Sequence, residues 1–255
     1  TGWAGVFAGS VLERSDAGWR VRWTTTSSGL PLPPVQALAA FDAQLVVGTS
    51  AGLYHLGTGT LRESTMRGLP MSRLGITRIR PADAGALAVG AYGSVFRQTS
   101  LTTWESLAAS TAAPCVWPAL DAGTCSFSDV WPMPAGGFLA VGNDTGNDGV
   151  TLTWFPDGGV ITTHVGKTRQ AIAPLLDGGV VICGWDNLLQ VGSPTALVTQ
   201  AVPANFATGC NTLRFDGQRL VFTHQGVVGE LSFDGTTWEA TTLTSLPVDW
   251  LWAST

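Results

Sequence analysis

The sequence predicts an all-β fold built from six copies of one small antiparallel sheet, and three observations predict it. An apolar triplet closed by glycine recurs roughly every 40 residues, an alternating polar-then-aliphatic strand precedes nearly every copy, and no segment carries a helical period. Strand, hairpin, strand at such a spacing is the signature of four-stranded propeller blades. A β-sandwich would not require the regular interval.

The glycine-closed strand reads VFAG ending at Gly9, LVVG at Gly48, LAVG at Gly90, LAVG at Gly142 and VICG at Gly184; a sixth copy, LVFT, puts Thr223 in the glycine position. The successive intervals are 39, 42, 52, 42 and 39 residues. The preceding strand is VQALA from Val35, ITRIR from Ile76, FSDVW from Phe127, RQAIA from Arg169 and CNTLR from Cys210. Turn residues such as DAQ, ADAG, PAGG and LDGG separate the two pieces and read as hairpins. After each glycine come a second turn, a third strand and, in several copies, a fourth near a tryptophan. Blades are expected at about 35–72, 73–112, 126–167, 168–204 and 205–247.

The first copy has no polar-aliphatic strand before it. Residues 248–255, VDWLWAST, supply Asp249 and Leu251 in the matching register, and joining the chain ends makes the interval from Thr223 to Gly9 255 − 223 + 9 = 41 residues. The remaining blade is therefore expected from 248–255 together with 1–34, giving one six-bladed β-propeller closed by its C-terminal strand. Closure removes the unpaired sheet edges that invite association with other chains.

Composition narrows the function classes. The chain has 255 residues, 45% of them hydrophobic and 12% charged, with a net charge of −5. Its 13 basic residues form no run or stripe, which argues against nucleic-acid binding. No stretch of 18 or more apolar residues is present to span a membrane as a helix. The chain begins at Thr1, not at Met or a charged-then-apolar leader, so a processed or excised form is expected, and a monomer. Cys115 and Cys125 bracket a short loop, CVWPALDAGTC, as a stapling disulfide would, and Cys183 and Cys210 make the other pair. Buried free thiols are the alternative. Disulfides would place the protein outside the cytosol: extracellular, periplasmic or on the cell surface.

These blades resemble six-bladed propellers of the YVTN/WD40-like group. LVVGTSAGLYHL (45–56) is similar to blades of two-component-regulator propellers, SFDGTTWE (232–239) to a BNR or Asp-box hairpin one residue short, and RSDAGWRV (14–21) to a more degenerate copy. These motifs imply architecture and carry no activity across.

Enzyme readings find little support. Sialidases resemble six-bladed propellers with Asp boxes, and that resemblance implies an arginine triad and a tyrosine nucleophile. Only Tyr54 and Tyr92 exist, both at ordinary blade positions. A metal-dependent hydrolase of the gluconolactonase type would need carboxylates and amides converging at a central channel. The expected inner column is Gln36, Thr77, Ser128, Gln170, Asn211 and Asp249, with a single carboxylate, where hard cations want several. His55, His164 and His224 lack metal-ligand spacing, and no Gly-x-Ser-x-Gly elbow occurs. No catalytic residue, metal or cofactor is expected.

Eleven tryptophans are the compositional sign of binding. Trp19, Trp104 and Trp238 recur at the outer hairpin and are expected to pack between blades; Trp117 and Trp185 fall in loops. The long connection at 107–126 and the inner loop NDTGNDGV (143–150) both belong to the fourth blade and open on one face. That groups Trp117, Asp121, Asn143, Asp144, Asn147 and Asp148 with Trp185 of the next blade. Aromatic faces beside carboxylates and amides suit carbohydrate or a protein ligand, so a non-catalytic binding or scaffold module is expected, the alternatives being a metal-dependent hydrolase centred on the channel and a purely structural domain of a larger surface protein. NDTGNDG departs from the acidic spacing of a calcium loop.

Overall fold

The computed structural model describes residues 2–6, 9–41, 44–57, 59–68, 75–83, 85–107, 125–144, 146–202, 209–215, 218–234 and 237–245. Their regular structure is β-strand, apart from short 3-10 turns at Ala91–Gly93 and Pro134–Gly136. The chain divides into two compact units. The first carries β1 (Gly2–Val6) to β13 (Ser126–Pro132), the second β14 (Phe138–Asn143) to β24 (Trp238–Ser245).

In the first unit, β1, β2 (Ser10–Ser15) and β3 (Gly18–Trp23) form an antiparallel sheet. A four-stranded meander follows: β4 (Val35–Phe41), β5 (Gln44–Thr49), β6 (Gly52–Leu56) and β7 (Leu61–Glu63). The next meander is β9 (Ile76–Ala82), β10 (Gly85–Gly90), β11 (Val95–Ser100) and β12 (Thr103–Ser106). Its outer edge gains β8 (Thr65–Arg67), running parallel to β12, so residues expected within the 35–72 blade join the following sheet. The first strands of successive sheets lie side by side, β1 by β4, β4 by β9 and β9 by β13.

The second unit repeats the pattern. β14, β15 (Asp148–Trp154) and β16 (Val160–Lys167) are antiparallel neighbours. β17 (Arg169–Pro174), β18 (Val180–Gly184), β19 (Leu188–Ser193) and β20 (Ala196–Ala201) form one meander, and β21 (Thr212–Phe215), β22 (Leu220–His224), β23 (Val227–Phe233) and β24 another. Again β14 lies beside β17 and β17 beside β21.

Period-two alternation gives each sheet two apolar faces, and the cores form between neighbouring sheets. Ala37, Ala39, Val46 and Leu53 meet Ile76, Ile79, Ala86, Ala88, Phe96 and Trp104 across one such layer. Alanines on the first two strands of a sheet let the next sheet approach closely, while Phe96 and Trp104 fill the wider outer space. In the second unit Ala171, Ala173, Val181 and Leu189 face Leu213, Leu220, Phe222 and Trp238. Fully burying each large side chain contributes about 1.5–3 kcal/mol. The repeated glycine has a steric cause: a Cβ at Gly90 would strike the carbonyl oxygen of Gly75, and one at Gly184 that of Thr168, where the chain enters the following strand.

Trp104 and Trp238 are buried, as the repeat implies, but Trp19 is 52% exposed. It lies on β3, an outer strand exposed along most of its length. The sheet of β1 to β3 shows three strands where the adjoining sheet of β4 to β7 shows four; residues 248–255, expected to supply the missing one, lie outside the described residues.

Candidate functional site

Two neighbouring turns of the second unit carry most of the expected binding residues. The first joins β14 to β15. Instead of the long loop expected over 143–150, the strands run to Asn143 and from Asp148, leaving a tight turn built by Asp144. Asp144 Oδ1 accepts the backbone N–H of Gly146 at 2.8 Å and of Asp148 at 3.0 Å, an Asx-type closure. Asn147 takes φ 62°, a left-handed conformation that asparagine tolerates better than most residues. Asn143 Nδ2 donates to the Asp144 carbonyl at 2.9 Å. One Asp144 oxygen is thus committed to the turn, and the other lies 3.8 Å from His164 Nδ1. Asp148 is exposed.

The second turn, between β18 and β19, presents Trp185, which is 46% exposed. An indole in water is not held there by the hydrophobic effect, so bonds around it must fix the turn. Arg169 supplies one brace: its side chain is fully buried, donates from Nε to the Lys167 carbonyl at 2.8 Å and from Nη1 to the Leu188 carbonyl at 2.9 Å, and ion-pairs with Asp186. Asp186 in turn accepts the backbone N–H groups of Lys167 at 2.7 Å and Leu188 at 3.1 Å. The Cys183–Cys210 disulfide, with 5.9 Å between its Cα atoms, anchors the strand two residues before Trp185. Gly209, at φ 81°, brings its backbone against Gly184 and Trp185 so closely that a Cβ would collide with both.

Thr168 links the two turns. Its carbonyl accepts the Trp185 backbone N–H at 3.0 Å, and its hydroxyl donates to the Asn147 carbonyl at 3.5 Å. The structure therefore brings Asn143, Asp144, Asn147, Asp148 and Trp185 into one neighbourhood. Trp117, Asp121 and Cys115 lie outside the described residues; Cys125 is buried and disulfide-bonded.

The expected inner column behaves differently. Thr77 Oγ1 donates its proton to the Phe127 carbonyl at 2.5 Å, with the Val89 carbonyl 3.1 Å away as the alternative acceptor, so the hydroxyl serves backbone. Gln170 and Asn211 are buried, Gln36 is exposed, and Asp249 lies outside the described residues. Asp234, in the Asp-box-like segment, accepts the backbone N–H of Thr237 at 2.7 Å, a turn closure with structural work to do. Among the described residues no group of three or more His, Cys, Asp or Glu side chains could hold a metal ion.

Sequence reasoning missed one charged cluster, in the first unit. Asp129, wholly buried on β13, receives Arg80 in a two-pronged pair, Nε to Oδ1 at 3.0 Å and Nη2 to Oδ2 at 2.7 Å. Arg78 lies alongside, its Nε 3.3 Å from Oδ1. Burial works against the charge on both arginines. For Arg80 the Asp129 carboxylate outweighs that and raises the pKa, whereas for Arg78 burial prevails and lowers it, Asp129 opposing and Arg80 adding to the effect. The signal in the sequence was an Arg-x-Arg pair inside an otherwise apolar inner strand, ITRIR, opposite the aspartate of FSDVW.

Comparison with protein-family models and with curated proteins finds no match. Solved structures do match. The extracellular domain of a hybrid two-component system from B. thetaiotaomicron aligns with a TM-score of 0.60 at 17% identity over 86% of this chain. The chain spans only 29% of that domain's length. YCF48 bound to D1 peptide gives a TM-score of 0.59 at 12% identity, covering 93% of this chain and 77% of that one. The WD40 β-propeller domain of Doa1 gives 0.61 at 14% identity, covering 96% and 79%. At these identities the likeness concerns architecture: the chain has an all-β fold of the WD40/YVTN-type β-propeller class.

Proposed function

We propose that this chain is a non-catalytic binding module that takes a glycan or protein ligand on the surface formed by the β14–β15 and β18–β19 turns, with Trp185 as its anchor. The observation that carries the proposal is the bracing of Trp185. The half-exposed indole stands on a turn whose backbone a buried ion pair, a disulfide and a backbone hydrogen bond fix before a ligand arrives. Little conformational entropy is then lost on binding. Its flat face suits stacking on a sugar ring or packing on an apolar side chain, while the amides and carboxylates of Asn143 and Asp148 offer hydrogen bonds to the ligand's polar groups.

A disulfide in the fold and an extracellular domain among the similar structures support a location outside the cytosol. The peptide held by YCF48 is a precedent for a propeller of this class accepting a polypeptide. The test is a glycan microarray and a phage-displayed peptide library screened with the wild-type chain and with Trp185→Ala. Selected glycans or peptides that lose affinity for the variant support the proposal; ligands indifferent to Trp185 defeat it.

A further inference from the structure

Two outer strands of the first unit are covered by chain leaving the preceding sheet. β8 runs parallel to β12, and Thr26, just past β3, bridges in parallel to Leu61 of β7. An outer edge in this fold thus takes one more strand without disturbing the sheet behind it. β3 differs: among the described residues no strand pairs with its outer edge. Trp19, Arg20, Val21 and Arg22 are all exposed. Along an antiparallel edge strand, alternate residues turn their N–H and C=O groups away from the sheet, where they template a further strand.

The two faces of β3 carry different chemistry. Trp19 stands opposite Arg14 and Val21 opposite Leu12, so one face presents apolar surface, with Trp19 52% and Val21 61% exposed. On the other face Arg20 stands opposite Glu13, and a register shift between Val11 and Leu12 brings Arg22 to the same carboxylate. Arg20 Nη2 lies 2.6 Å and Arg22 Nε 3.6 Å from Glu13 Oε2. The Arg22 guanidinium lies over the Trp23 ring, 5.4 Å from its centroid, and the Trp23 indole N–H donates to the Gly59 carbonyl at 3.0 Å, which holds that ring in place. Two exposed guanidinium groups therefore share one carboxylate, and each has five N–H donors to offer. The outer strands β16, β20 and β24 carry no arginine. A second copy of β3, paired antiparallel about Val21, would set Arg20 against Arg22, and like charges directly opposite are unfavourable. An acidic strand meets the opposite situation.

We infer that β3 is a docking edge for an extended acidic peptide, which adds as a further strand with acidic side chains beside Arg20 and Arg22 and the alternate, apolar ones beside Trp19 and Val21. Main-chain hydrogen bonds supply affinity in such an addition, and the alternating side chains supply the choice of sequence. The edge belongs to the first unit and Trp185 to the second, so the two sites stand or fall separately.

The probe is a fluorescein-labelled octapeptide of alternating glutamate and valine, titrated with the full chain at low salt and read by fluorescence anisotropy. Saturable binding is expected, at least about tenfold weaker for the alternating lysine–valine peptide, whose charges face arginine. A copy of the glutamate peptide N-methylated throughout keeps its charges but has no main-chain donors, and is also expected to bind at least about tenfold more weakly. Replacing both arginines, Arg20→Gln with Arg22→Gln, should weaken the glutamate peptide about fivefold or more, the scale of two exposed ion pairs. Both positions are exposed, so the variant should melt like wild type, and Trp185→Ala should bind the peptide unchanged. No saturable binding, equal affinity for the lysine or the N-methylated peptide, wild-type affinity in the arginine variant, or a loss seen with Trp185→Ala would each overturn the inference. So would a dimer of the chain that excludes the peptide, because the edge would then belong to a second copy.

Discussion

Replacing Asp129 by asparagine tests the physical account of the first unit. The carboxylate accepts Arg80 at 3.0 and 2.7 Å and the Val130 N–H at 2.9 Å, with Arg78 at 3.3 Å, and has no exposure to water. Asparagine keeps the shape but loses the charge. One of its positions also becomes an NH2 donor facing a guanidinium donor, so at least one of the bonds to Arg80 is lost. Two largely buried guanidinium groups would then face each other without the carboxylate between them. Breaking a buried pair by removing one partner costs about 3–5 kcal/mol. In a chain of this length that corresponds to a fall in Tm of roughly 6 to 20 °C. The comparison variant is Glu13→Gln, which breaks the exposed Arg20–Glu13 pair at 2.6 Å. Exposed pairs contribute about 0–1 kcal/mol, a shift of under about 4 °C. Differential scanning calorimetry on both variants decides the matter: equal, small shifts would refute the claim that Asp129 is the counter-charge of a desolvated arginine pair.

Other outcomes follow from the same geometry. Replacing Cys183 and Cys210 with serine, which opens a loop with a sequence separation of 27, should lower stability by about 3.5 kcal/mol on the chain-entropy scale, readable by urea denaturation; an unchanged midpoint would contradict it. His55 and His224 are both held below the ordinary histidine pKa near 6.5, chiefly by burial, with Arg62 adding to the effect at His55 and Gln225 opposing it at His224. The folded protein therefore binds fewer protons than the unfolded chain, so stability is full above about pH 6.5 and declines as pH falls from there through the folded-state values. A His55→Gln, His224→Gln double variant should flatten melting temperature against pH between about 6.5 and 5, and a slope like wild type's would count against this reading. On the sequence expectation that 248–255 supply the missing strand of the first sheet, deleting them should lower the melting temperature of the whole domain, since fully burying a large apolar side chain contributes about 1.5–3 kcal/mol; unchanged melting would remove the closing strand from the account.

The architecture was legible because its cause is local and repeated. Leu45–Gly48, Leu87–Gly90, Leu139–Gly142 and Val181–Gly184 all sit in the second strand of a sheet, buried on both faces; the residue entering the preceding strand crowds Gly90 and Gly184, and Ile76 of the next sheet crowds Gly48. Cys183 lies on β18 and Cys210 two residues before β21, and both are buried in the apolar layer between the two sheets. The Arg78–Arg80–Asp129 cluster was not legible, since its meaning depends on two strands 49 residues apart in sequence and on the exclusion of water. Arg169 escaped for the same reason: nothing local says that a surface-type residue will be sealed behind Trp185 by Asp186. The length of the 143–150 loop was overestimated because polar residues read as loop, whereas Asp144 spends its carboxylate closing a tight turn.

The functional claim rests on Trp185 being a pre-ordered contact residue, not a stray surface aromatic. The most direct measurement is the affinity of one selected array ligand for wild type and for Trp185→Ala, taken alongside their melting temperatures. The account predicts that affinity falls at least about tenfold, as befits an interface anchor, while melting stays within about 2 °C of wild type because the indole is half exposed. Equal affinity in the two proteins would contradict it.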